Sequence, residues 1–147
     1  MDTSNIEDFD KTVGLIFGTL YQSFPIRKFI DGQIMQPLSR PSEEGFDDRY
    51  HHYAAIYRAT MTWLIDAGYV WAELPRDKNE SIFRDCVLST KGLEILNMPT
   101  SLGPSIGSRL GDAMSDTAKD SFKDLAKEAL TAGAVLAAGF GRSLFIP

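Results

Sequence analysis

Two histidines, His51 and His52, and one cysteine, Cys86, are the side chains that most readily bind a metal or attack a substrate. Adjacent residues on a helix point about 100° apart, so the two imidazoles cannot close on one ion. His52 and Asp48, four residues apart, could supply two ligands. A site needs a third and usually a fourth, and no other His or Cys remains to provide them. Polar helix surface is the simpler reading, and neither a metal nor another cofactor is expected. A reactive cysteine needs a neighbouring base or a positive helix end to form thiolate. Cys86 stands beside Val87 and Leu88 with neither specified, and reads as a buried structural thiol. Gly103, Gly107 and Gly111 recur every four residues among Ser and Pro, without the Lys-Ser/Thr ending of a phosphate-cradling loop. The carboxylate pairs Glu43-Glu44 and Asp47-Asp48 fall in a loop and at a helix start, where solvation and capping account for them. No catalytic residue is expected, and the chain reads as a non-enzyme.

Aromatic residues are the stronger signal. Phe46, Tyr50, Tyr53, Tyr57, Met61 and Leu64 follow one another at helical intervals and predict a helix over 47–67, straight or bent near Arg58 to Thr60. A tyrosine carries a hydroxyl at the end of an apolar body. Tyr50, Tyr53 and Tyr57 therefore predict a half-buried face that serves an interface, with Asp47 and Asp48 beside it.

Phe9, Val13, Ile16, Phe17, Leu20 and Tyr21 place an earlier helix over 10–24, with Gly14 and Gly18 on a stripe that lets another backbone come close. Pro25 ends it or opens a short second helix through Ile30. The Gly, Gln, Pro and Ser content of residues 31–45 predicts a loop. After Gly68 the period changes to that of strands. Tyr69 to Leu74 and Ser81 to Leu88 read as a hairpin around the charged turn 75–80. Ser89 or Thr90 can cap a short helix ending before Pro99.

The segments Leu64-Ile65-Asp66-Ala67-Gly68-Tyr69-Val70 and Leu88-Ser89-Thr90-Lys91-Gly92 resemble the joints of bacterial winged-helix domains, where one leads from the recognition helix into the wing and the other from the wing into the last helix. The resemblance covers about residues 9–98. It implies a mainly α fold with a small antiparallel hairpin, and it is shared by DNA-binding and protein-binding modules. For DNA it would place Arg49, His52, Arg58 and Thr62 toward the major groove, with Arg76 and Lys78 in the wing near phosphate.

Composition argues against that use. The 147 residues carry 15 Lys and Arg against 20 Asp and Glu, a net charge of −5. Residues 1–50 hold nine acids against five bases, and residues 51–98 six against five. A duplex-binding protein that makes about 6–10 phosphate contacts needs that many well-placed donors. At 44% apolar and 24% charged the chain has the make-up of a globular domain with one core. Four acids within Met1 to Asp10 and no apolar stretch do not read as a signal peptide, so a cytoplasmic location is expected.

Beyond a Gly, Ser and Pro-rich linker or hinge at 99–111, within which Ser101 to Gly111 could also form a poor helix, residues 112–147 read as a separate C-terminal helical extension. The uncharged run Ala129 to Gly141 spans about 20 Å as a helix, short of the roughly 30 Å of a bilayer core, so membrane insertion is disfavoured. Docking on its own domain or on a twin subunit is expected, with Phe122, Leu125, Gly133 and Leu136 as the dimerisation stripe. The functional expectation is a winged-helix-like module that binds a protein, such as an immunity or antitoxin-like neutraliser of a basic partner. The alternative is a DNA-binding regulator that dimerises through its last helix.

Overall fold

The computed structural model describes residues 5–38, 46–77, 81–100, 103–115 and 120–145. Helix α1 (Asn5–Ser23) lies at the centre, in contact with α2 (Phe46–Asp66), α4 (Ile106–Ser115) and α5 (Asp120–Phe145). Helix α3 (Thr90–Leu96) is the shortest. Val13, Ile16, Phe17 and Leu20 of α1 are buried, as their helical spacing requires. Each such side chain contributes about 1.5–3 kcal/mol by leaving water. Tyr57, Met61 and Leu64 of α2 fill the opposite side of the same core. Helix α2 is continuous from Phe46 to Asp66.

Three antiparallel strands, β1 (Lys28–Ile30), β2 (Val70–Glu73) and β3 (Phe83–Leu88), form a sheet in the order β1-β3-β2. The hairpin is thus joined by a strand from the segment expected to be a short second helix. Three residues are too few to show a period, and β1 is set from outside: the Tyr57 hydroxyl donates to the Ile30 carbonyl at 2.7 Å. Lys28 pairs with Cys86 and Ile30 with Phe83, while Trp71 pairs with Val87 and Glu73 with Arg84. On both sides β3 advances one residue further than its neighbour. Asp85, at φ 55°, is the extra residue of this bulge. After it Cys86, Val87 and Leu88 are buried in succession, where simple alternation would have exposed one of them.

Of the segment 99–111, expected as a linker, a hinge or a poor helix, residues 106–111 are helical. Ile106 opens α4, and the Ser108 N–H donates to the Ser105 hydroxyl at 3.1 Å as an N-terminal cap. Gly107 faces α1: a Cβ there would stand 2.5 Å from the Tyr21 ring. Glycine at this spacing is what close helix packing requires, and it looks like a loop when only composition is read. Gly14 does the same for α5, since a Cβ would meet the Phe122 carbonyl oxygen at 2.7 Å. Phe122, Leu125, Ala126 and Ala129 are buried in the common hydrophobic cluster. Helix α5 therefore does not stand apart from α1 but shares its core. Among the described residues no helix is long and apolar enough to cross a membrane.

Candidate functional site

Helix α2 buries Tyr57, Met61 and Leu64, so the opposite stripe of the same helix faces outward. Ala55, Arg58, Ala59, Thr62, Trp63 and Asp66 form one wall of an open groove of about 830 Å³. The other wall is the end of β2 and the turn after it, Leu74, Pro75, Arg76 and Asp77, with Phe83 of β3 below. Trp63 is 44% exposed and Leu74 56%, a large apolar surface to leave uncovered. Two arginines and two aspartates share the rim, so the groove is apolar in its body and balanced in charge. Glu73, next to Leu74, pairs with Arg76 at 3.7 Å.

The groove gathers Arg58, Thr62 and Arg76 of the residues expected to face DNA. His52 is engaged elsewhere. Its Nε2 lies 2.8 Å from a carboxylate oxygen of Asp8, which is buried near the start of α1, so the pair ties α2 to α1. The side chains of Asp47, Asp48, Arg49 and Tyr50, and Lys78, lie outside the described residues.

The expected tyrosine interface needs correction. Tyr57 is fully buried, hydrogen-bonded to Ile30 and set edge-on to Phe83 at 5.9 Å, so it cannot meet a partner. Burial drives its hydroxyl pKa far upward from the ordinary value. Tyr53 is half-buried, packs against the core and lies 5.6 Å from the His52 ring. The apolar stripe was the inward face of α2, and the interface candidate is the stripe of small and charged residues on its other side. The expected dimerisation stripe is also inward: Phe122, Leu125 and Gly133 are buried within the subunit, and Leu136 packs partly on the same core.

Cys86 is fully buried, its thiol donates to the Phe83 carbonyl at 3.3 Å, and burial pushes its pKa up to about 11. Neutral thiol is a poor nucleophile. Among the described residues no three His, Cys, Asp or Glu side chains converge as metal ligands. Asp10 is the unusual carboxylate. It is 4% exposed in α1, one of its oxygens has no hydrogen-bond partner among the described residues, and burial raises its pKa against the lowering influence of Lys127 and Lys123. Its lysine neighbours are on α5, and it is not among the groove-lining residues.

Of the groove-lining residues, sequence reasoning named Arg58, Thr62 and Arg76 and missed the rest, Trp63, Leu74 and Pro75 among them. The signal was the repeat Ala55, Ala59, Thr62, Asp66, a stripe of small or polar residues too unremarkable to separate from ordinary helix surface. No protein-family model, curated protein or solved structure matches the chain.

Proposed function

We propose that this chain is a non-enzymatic binding module that holds a protein partner in the groove between α2 and the turn after β2. One observation carries the reading: the groove combines exposed Trp63 and Leu74 and half-buried Pro75 with a rim whose two arginines and two aspartates cancel. Interfaces concentrate aromatic and apolar side chains at the centre with charge at the edge. A phosphate backbone instead calls for an excess of cations. The net charge of −5 supports a basic partner, and a neutraliser of the immunity or antitoxin kind working in the cytoplasm fits that chemistry.

A winged-helix-like, DNA-binding regulator is the second reading. It is favoured by Arg58 and Thr62 standing together on the exposed side of the helix that precedes the hairpin, with Arg76 across from them. Titration of a fluorescent random-sequence duplex separates the two readings. The protein-binding module gives no salt-sensitive rise in anisotropy at low ionic strength. A rise that is lost on salt addition and in Arg58→Ala would favour the regulator and contradict the proposal.

A further inference from the structure

The aromatic wall of the groove is held from behind by a chain of contacts that ends on α5. Trp63 stacks on Tyr69, with ring centroids 6.1 Å apart and planes 22° from parallel, and takes Phe9 of α1 edge-on at 5.3 Å. Tyr69 has little room to move. Its N–H donates to the Leu64 carbonyl at 2.9 Å, and its carbonyl accepts from the Ser89 N–H at 3.0 Å. Its ring meets Phe17 at 5.8 Å on one side, and the Lys91 ammonium lies 4.3 Å from its centroid. Gly133 of α5 also bounds the ring. A Cβ at that position would collide with the Tyr69 hydroxyl and stand 2.9 Å from ring carbons Cε1 and Cζ. Among the described neighbours of this ring Phe17 is fully buried, whereas Trp63, 44% exposed, and the partly exposed Lys91 have space to yield, and Trp63 is the one of these that lines the groove.

We propose that α5 sets the shape of the groove through Gly133 and Tyr69, so that seating of α5 and occupancy of the groove are linked. Gly133 and Tyr69 are positioning residues: neither is among the groove-lining residues, and both determine where Trp63 stands. Linkage is reciprocal, so a partner that packs on Trp63 also changes how firmly α5 is seated. The proposal rests on the protein-binding reading only for its biological consequence. The coupling itself is a property of the free chain.

The test uses the full chain with Trp71→Phe, which leaves Trp63 as its single tryptophan. Gly133→Ala is expected to shift Trp63 emission to the red and to make it more accessible to acrylamide. Gly107→Ala is the matched control, since its Cβ would also meet a tyrosine ring, that of Tyr21, but far from Trp63. It is expected to lower stability and leave the emission where it was. In a Tyr69→Leu background, Gly133→Ala is expected to add no further shift. If Gly133→Ala does not fold, hydrogen exchange in Trp63→Ala supplies the reverse arm, with faster exchange around residue 133 and none gained in α4. Unchanged Trp63 emission in Gly133→Ala, an equal shift in Gly107→Ala, an undiminished shift without Tyr69, or unchanged exchange around residue 133 would each overturn the coupling. None of these readouts needs a partner. A chain that couples but binds no protein contradicts the proposed function alone, and one that binds without coupling contradicts this inference alone.

Discussion

Replacing Asp10 with asparagine is expected to stabilise the protein at neutral pH, although it removes a charge that faces two lysines. The carboxylate is 4% exposed, and one oxygen has no hydrogen-bond partner among the described residues. Desolvation is the largest influence on its pKa and acts upward; Lys127 and then Lys123 act downward, and Glu7 upward. The folded pKa thus lies above the unfolded one. Between the two values the native state holds more protons than the unfolded chain, so stability falls as pH rises through that window. Above it, an ionised carboxylate remains in a poorly solvated place. A buried polar group left unsatisfied costs about 1–3 kcal/mol, and the lysines offset part of this, leaving a gain of about 1 kcal/mol for Asp10→Asn at pH 7. For a chain near this size that is a rise of about 2–4 °C in Tm. Thermal unfolding of both proteins from pH 3 to pH 8 is the assay. The two curves should converge at the acid end and separate above the ordinary carboxylate range, with the variant on top. A variant less stable than the parent at pH 7 would mean that attraction to Lys123 and Lys127 outweighs desolvation, and the reasoning would be wrong.

Three further outcomes follow from the packing. His52→Ala removes the partner of buried Asp8 and should cost about 1–3 kcal/mol in urea unfolding, with much of the loss recovered in Asp8→Asn/His52→Ala; a cost below the error of the fit would show that the pair contributes nothing. Asp85 occupies the left-handed region at φ 55°, so Asp85→Val should lose about 1–2 kcal/mol while Asp85→Gly is neutral or slightly stabilising, because the Arg27 contact at this residue is to the backbone carbonyl and survives both changes. Cys86 should react slowly with a disulfide reagent at pH 8 in the native state and quickly in denaturant, whereas rapid native labelling would contradict a buried thiol with its pKa near 11.

Long amphipathic elements were legible because their apolar residues fall on one face and the core takes that face. The α1 residues Val13 to Leu20 and the α2 residues Tyr57 to Leu64 are the clearest examples. The hairpin was legible from the change of period after Gly68, and the Ser89 cap from its residue type, with the Gly92 N–H donating to the Ser89 hydroxyl at 3.0 Å. Strand β1 was not, since its position depends on pairing with β3 and on the Tyr57 hydroxyl, partners distant in sequence. Helix α4 was legible only as a choice between a hinge and a poor helix, because the role of its glycines appears only once α1 lies against them. The site was the least legible part. Tyrosines drew attention to the face of α2 that carries most apolar surface, and in a folded domain that face is the one already covered. The outward face carries alanine, threonine and isolated charges, and becomes a groove only because the turn after β2 stands across from it.

Site-specific photo-crosslinking addresses the central claim most directly. A photoreactive residue at Thr62, on the groove wall, should yield a discrete protein adduct in cells, and Leu74→Asp should abolish it, while the same residue at Val135, 66% exposed on α5, gives none. Adducts of equal yield at Thr62 and Val135, or a Thr62 adduct indifferent to Leu74→Asp, would show that the groove is not where this protein meets its partner.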